Sequence, residues 1–214
     1  MEEKLKNPCT IYLVRHGETD WNKKGILQGH KNPKLNPTGI QQAQKVAKRL
    51  KNIKFDAAYS SDLSRAKQTA EIIVLEHELA VVTRKAIREQ SMGKYEGVKR
   101  SIFRKELKDL LEKIQAMSDE ERFKFKRPHG IESHEKVVER FIRFLREIAV
   151  AHPNKTILVV SHGGLMKFFL RHLGFADYKK LDHAPIGNLS YIKILSDGIE
   201  FEVIKTHGVN LNEN

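Results

Sequence analysis

The sequence predicts an α/β protein: a three-layer α/β/α sandwich with a mostly parallel central sheet and a helical lid insertion. Three observations predict it. Apolar, β-branched runs alternate along the chain with stretches of helical periodicity, the order expected of a parallel sheet crossed by helices. One run, 155–161 (KTILVVS), is apolar without polar alternation, as a central strand covered on both faces requires. Residues 98–127, by contrast, are highly charged and helix-forming, with no strand pattern.

The first strand is expected at 9–14 (CTIYLV), running into the polar turn RHGETD. A helix is predicted over 38–50, where Ile40, Ala43, Val46, Ala47 and Leu50 share one face. A short strand at 55–61 (FDAAYSS) leads to a helix over 61–77 that opens on residues suited to capping, and a further short strand is expected at 79–84. Beyond the charged stretch, 133–152 places Val137, Phe141, Phe144, Leu145 and Ile148 on one amphipathic stripe. The strand at 155–161 is followed by a helix over 163–174 that Gly174 ends, and edge strands are expected at 189–195 and 199–206. No repeat, linker or compositional break divides the chain. Residues 1–214 are therefore read as one domain, with the helical insertion at about 98–130 lying over one side of the sheet.

Composition bounds the function. With 40% hydrophobic and 31% charged residues the balance is that of a soluble globular domain. No apolar run approaches the ~20 residues that span a bilayer, so no membrane partner is expected. The opening MEEKLKNPCT lacks the apolar core of a secretory signal, and the single Cys9 forms neither an internal disulfide nor a zinc-type cluster. A cytoplasmic location is the expectation. The net charge of +12 admits either nucleic-acid binding or the steering of a small anion. The basic residues are spread, with modest concentrations at 45–54 and 99–127, and there is no arginine-rich tail or nucleic-acid motif. The reading taken is a small phosphorylated ligand, no nucleic acid, and a largely solvated lysine-rich surface. An exposed sheet edge would admit a homodimer.

In open parallel sheets, ligands bind beyond the carboxyl ends of the strands. Two strands here end alike: one runs into Arg15-His16-Gly17-Glu18-Thr19, the other into Ser161-His162-Gly163-Gly164. Two histidines can thus face one crevice, each followed by a glycine that allows close backbone approach to a ligand. A third strand, ending at Ser60-Ser61, leads to Arg65 in the first turn of a helix, where anions are favoured. Two arginines and two histidines suit phosphate, whose equatorial oxygens take several donors. Neutral imidazole is a nucleophile at physiological pH and can accept a phosphoryl group directly; the second imidazole, if protonated, can donate to the equatorial oxygens. A lone His-Gly after a strand would be an ordinary turn or cap. The coincidence of His16 and His162 with Arg15 and Arg65 is what a structural reading does not explain.

These residues carry a family resemblance. LVRHGETDWN (13–22) resembles the signature of the histidine phosphatase superfamily, also called the phosphoglycerate mutase-like family. LNPTGIQQA (35–43), YSSDLSRAKQTA (59–70), IREQSMGKYEG (87–97), VVSHGG (159–164) and APIGNLSYIKI (184–194) are similar to its later segments in order and spacing. The resemblance implies that His16 is the nucleophile that becomes phosphohistidine, and that Arg15, Arg65 and His162 complete the phosphate pocket. It also implies that Glu89 is the proton donor, at a step where a leaving alkoxide needs a proton and an attacking water must lose one. The bland alternative for Glu89 is a surface partner of Arg88 or Lys94. Asn22, Gly17, Gly163, Thr19 and Gln28 are expected at the substrate, while Glu18 is read as orienting the loop or an arginine. No metal and no cofactor are implied, since the arginines supply the positive charge and no carboxylate cluster is present.

The family divides chiefly between phosphatases and mutases. Phosphoglycerate mutases of this type carry a Glu-Arg-His-Tyr-Gly segment where this chain has Glu89-Gln90-Ser91-Met92-Gly93, so Met92 stands at the tyrosine position. This chain is also shorter than those mutases, and its Gly93–Gly97 run looks like that of the small phosphatases. Phosphatase action on a small metabolite is the favoured reading. Mutase-type transfer, protein phosphatase action or a phosphate-dependent binding module, with 98–127 as a docking element, are the alternatives.

Overall fold

Four parallel strands and an antiparallel hairpin make one six-stranded sheet in the computed structural model, which describes residues 5–175 and 186–209. Ala184 and Pro185 of the closing segment lie outside the described residues. In chain order the first elements are β1 (Cys9–Arg15), α1 (Asp20–Lys23), α2 (Pro37–Leu50), β2 (Ala57–Ser61), α3 (Ser64–Val74) and β3 (Val81–Arg84). Three short helices follow: α4 (Arg100–Glu106), α5 (Lys108–Ala116) and α6 (Asp119–Lys124). Then come α7 (His134–Ala151), β4 (Thr156–Ser161), α8 (Gly163–His172), β5 (Ile186–Ser196) and β6 (Phe201–Val209). The strand order is β3-β2-β4-β1-β5-β6.

The central strands read as continuous apolar runs because both their faces are buried. Ile11, Leu13, Ile157 and Val159 face a core built with Val137, Phe141, Leu145, Leu165 and Phe169 of α7 and α8. Tyr12, Val14, Leu158 and Val160 face the opposite core, built with Val46 and Leu50 of α2 and Ala66, Ala70 and Ile73 of α3. Each fully buried Leu, Ile or Phe contributes roughly 1.5–3 kcal/mol relative to an exposed one. These two cores fix β1 against β4, and that register matters for the site. The pairing runs Val14 with Val160 and Arg15 with Ser161, so the next residues, His16 and His162, emerge side by side.

The structure adds detail to the expected elements. Helix α1 was not expected; it forms because Thr19 and Asn22 make a reciprocal capping box. Strand β5 begins earlier than predicted, at Ile186, and its pairing with β6 is irregular between Ile186 and Tyr191. The charged stretch folds as three short helices, α4, α5 and α6. Leu107, Phe103, Leu110 and Leu111 pack with Leu27, Met92, Tyr95, Val98 and Ile131 in a small core of their own. That core covers the loops beyond the strand ends, and of these helices α6 reaches the sheet-side core, through Phe123. Among the described residues, no helix is long and apolar enough to cross a membrane.

Candidate active site

The parallel register of β1 and β4 brings two imidazoles together. The His16 amide donates to the Ser161 carbonyl at 3.0 Å, and the His16 and His162 ring centroids lie 5.1 Å apart at 62°. Both side chains are buried. His16 Nδ1 lies 2.7 Å from the Gly17 carbonyl. A carbonyl only accepts, so Nδ1 carries the proton and Nε2 keeps a free lone pair. Burial, then the charges of Arg65 and Arg15, hold the His16 pKa well below the ordinary imidazole value, so the ring is neutral at physiological pH. His162 is depressed by burial first, then by Arg65 and His16.

The arginines sit on either side of this pair. Arg15 ends β1 and donates from Nη1 to the Ile186 carbonyl. Arg65, in the first turn of α3, is fully buried; it donates from Nη1 to Lys31 O at 2.8 Å and from Nη2 to Gly29 O at 2.9 Å. Burial lowers its pKa to about 10, so it remains a cation at neutral pH. Arg15 Nε, Arg65 Nε and both ring nitrogens of His162 are buried without a hydrogen-bond partner among the described residues. Orphaned buried donors are rare in folded proteins. Arg15 and Arg65 both line the cavity beyond the strand ends, where an oxyanion would accept from their Nε groups; a neutral His162, packed on His16, offers one further N–H.

Glu89 lies against the start of α8. Its Oε2 accepts from the Gly164 amide at 3.0 Å, and its Oε1 accepts from the Leu165 amide at 3.0 Å and from its own neighbour Gln90 at 2.9 Å. The second glycine of the His-Gly-Gly run makes this possible, because a Cβ on Gly164 would come within 2.6 Å of Glu89 Oε1. Gly163 is similarly constrained by Arg15, whose Nε would lie 3.0 Å from an added Cβ. Arg15, His16, Arg65, Glu89, Asn22, Gln28 and Gly163 all line one cavity of about 300 Å³ beyond the strand ends. Of the two alternative partners of Glu89, Arg88 pairs instead with Asp62 at 2.6 Å and the Lys94 ammonium lies over the Tyr95 ring.

Two expected substrate contacts are placed elsewhere. Thr19 is fully buried outside the cavity lining; its hydroxyl is spent on the amide of Asn22 and the side chains of Asn22 and Gln28. It therefore steers two lining residues rather than touching a ligand. The Asn22 Oδ1 accepts from the Thr19 amide at 3.1 Å, which leaves the Asn22 NH₂ to donate. Gly17 is absent from the lining too. Its amide donates to Thr69 Oγ1 at 3.1 Å, and a Cβ there would meet Gly39 O at 2.5 Å. The glycine allows close approach to α2, not to a ligand. Glu18 orients the loop: its Oε1 accepts from Asn36, the N-cap of α2, at 2.9 Å.

The cavity also contains residues that sequence reasoning did not single out. Trp21, Arg100 and Lys167 line it together with Met92. Arg100 is brought in by an antiparallel bridge between Ile26 and Lys99 and by its own amide, which donates to Gly25 O at 2.8 Å. Among the described residues no three His, Cys, Asp or Glu side chains are grouped as metal ligands.

Comparison with known proteins agrees with this architecture. A family model, the histidine phosphatase superfamily (branch 1), matches residues 11–207. Phosphoglycerate mutase-like protein 4 of Arabidopsis thaliana is 40% identical over 159 residues, 73% of this chain and 67% of that protein. The metal-independent phosphoserine phosphatase of Arabidopsis thaliana is 33% identical over 179 residues, 82% of this chain and 74% of that protein. Among solved structures, Bacillus stearothermophilus YhfR superposes with a TM-score of 0.81 at 27% identity, covering 94% of this chain and 98% of that one. With the paired strand-end histidines, the two arginines beside them and the match over nearly its whole length, the chain belongs to the histidine phosphatase superfamily.

Proposed function

We propose that the protein is a metal-independent phosphatase that hydrolyses a small phosphomonoester through a phosphohistidine on His16. The observation that carries this reading is the set of orphaned, buried nitrogens of Arg15, Arg65 and His162 beside a neutral His16 whose Nε2 is unprotonated. In the first step Nε2 attacks phosphorus, the P–O ester bond breaks, and Glu89 gives a proton to the leaving alkoxide. In the second, Glu89 takes a proton from water, the resulting hydroxide attacks phosphorus, the P–N bond breaks and inorganic phosphate leaves. The two guanidinium groups neutralise the transferring phosphoryl group throughout, the service a metal ion performs in other phosphatases. The Arabidopsis relative named a metal-independent phosphoserine phosphatase supports the same reading.

Arg100 and Lys167 in the cavity wall favour a substrate with a second anionic group, such as a phosphorylated hydroxy or amino acid. Incubation with phosphoserine and with phosphoglycerate in the presence of a chelator is expected to release inorganic phosphate at the untreated rate. Isomerised phosphoglycerate without phosphate release would instead identify a mutase, and loss of activity to the chelator would refute metal independence. No hydrolysis of any phosphorylated metabolite, with specific capture of one protein, would favour a binding module.

Glu89→Gln tests the acid. It is expected to slow an alkyl phosphate by about 10²–10⁴-fold, the usual range for general acid–base catalysis, and an activated aryl phosphate far less, because an aryl oxide barely needs protonation. Equal losses on both substrates would remove Glu89 from that role.

A further inference from the structure

Glu89 is carried by residues 88–91, which form neither helix nor strand. A proton-transfer group on irregular backbone needs something else to hold it within reach of the reacting oxygen. The Arg140 guanidinium, on α7, does so with every hydrogen it has. Its Nη1 donates to Ala86 O at 2.8 Å and Arg88 O at 2.7 Å, and its Nη2 to Glu89 O at 3.0 Å. The remaining two hydrogens go to Glu132, Nε to Oε1 at 2.9 Å and Nη2 to Oε2 at 3.0 Å. An arginine has five N–H donors, and all five are used.

Glu132 completes the clamp from the residue just before the N-cap of α7. Its Oε2 also accepts from the Ser91 amide at 3.2 Å, its carbonyl accepts from Gln90 Nε2 at 2.7 Å, and its amide donates to Ser91 O at 3.0 Å. His30 Nε2 adds a second donor to the Glu89 carbonyl at 2.9 Å. The backbone is therefore pinned at residues 86, 88, 89 and 91, on both sides of the acid. The pair is also shielded, with side-chain exposures of 21% for Arg140 and 16% for Glu132.

We propose that Arg140, anchored by Glu132, is the positioning residue for Glu89: it fixes the backbone from which the carboxylate reaches both the start of α8 and the cavity. The proposal rests on the reading of Glu89 as the proton-transfer group. A lysine, with three hydrogens on one nitrogen, cannot reach three carbonyls and both carboxylate oxygens in this fork geometry.

The test compares kcat for p-nitrophenyl phosphate and for glycerol phosphate in Arg140→Ala, Arg140→Lys, Glu132→Gln and Glu89→Gln. Arg140→Ala is expected to lose about 10- to 100-fold on the alkyl ester and less than about 3-fold on the aryl ester, since a misplaced acid hurts only where protonation limits the rate. Arg140→Lys should behave like Arg140→Ala. The double variant Arg140→Ala/Glu89→Gln should lose no more on the alkyl ester than Glu89→Gln alone, because the two residues act as one unit. Equal losses on both esters, or additive losses in the double variant, would overturn the proposal as mere structural support. If Arg140→Ala does not fold, Glu132→Gln decides, because it is isosteric and leaves one clamp hydrogen without its acceptor. The same selective loss supports the proposal, and an unselective one overturns it. A selective Glu89→Gln beside unselective Arg140 and Glu132 variants would sink the clamp and leave the acid standing. An unselective Glu89→Gln would sink both.

Discussion

Replacing His16 by alanine is expected to lower turnover by on the order of 10⁵-fold, the scale on which loss of a covalent nucleophile acts. The size follows from how completely the imidazole is prepared. Its Nδ1 proton is committed to the Gly17 carbonyl, its backbone amide to Ser161, and its own carbonyl accepts from Asn188 Nδ2 at 2.9 Å. The backbone bonds fix the Cα, and the ring cannot turn without breaking its Nδ1 bond, so Nε2 is aimed before substrate arrives. Its pKa, depressed by burial and then by Arg65 and Arg15, favours the unprotonated nitrogen at neutral pH. His162 is not placed to substitute, since His16 lines the cavity and His162, packed behind it with ring centroids 5.1 Å apart, does not. Wild-type protein quenched during turnover of a labelled phosphomonoester should carry label that is lost in acid and kept in alkali, as a P–N bond requires. The alanine variant should carry none. A labelled variant, or wild-type label that alkali removes, would reject His16 as the carrier.

The sheet and the chemical pair at its centre were readable from the sequence because both are local signals. An apolar run ending in His-Gly appears twice, and the parallel register of β1 and β4 turns that repetition into adjacency. Other contacts were not readable, because they join residues far apart in the chain by backbone proximity. Nothing near Gly17 announces Gly39, whose carbonyl excludes a side chain there. Nothing near Gly164 announces the Glu89 carboxylate that its missing Cβ admits. The role of Thr19 as the N-cap of α1 was not legible either, because it depends on the reciprocal bond with Asn22. The break before α6 did have a signature, the Ser118 and Glu121 capping box, hidden within uniformly charged surroundings. Arg140 lay in plain view on a predicted helix. Only the folded chain shows that its fork faces three carbonyls rather than solvent.

Arg65→Met is expected to lower kcat by about 10³-fold, within the range for removing a cation from a transferring phosphoryl group. It should do so without destabilising the fold. The guanidinium is fully buried, and among the described residues its hydrogen-bond acceptors are two carbonyls, of Gly29 and Lys31, and not a carboxylate. Losing those two bonds costs about 1–3 kcal/mol each. Against this stands the cost of desolvating a cation, several kcal/mol, which an apolar side chain of similar length avoids. Melting temperature measured without phosphate should therefore hold or rise, while the stabilisation that added phosphate gives the wild type should vanish. The histidines supply an independent readout. After burial, Arg65 is the largest influence depressing both His16 and His162. A nearby cation disfavours protonation, so its removal must move both titrations upward, toward the ordinary imidazole value near 6.5. NMR titration of the two ring protons would show this directly. Unmoved histidines, or a loss of activity below about 10-fold, would mean that Arg65 is an architectural residue and that the charge on the phosphoryl group is met by Arg15 alone.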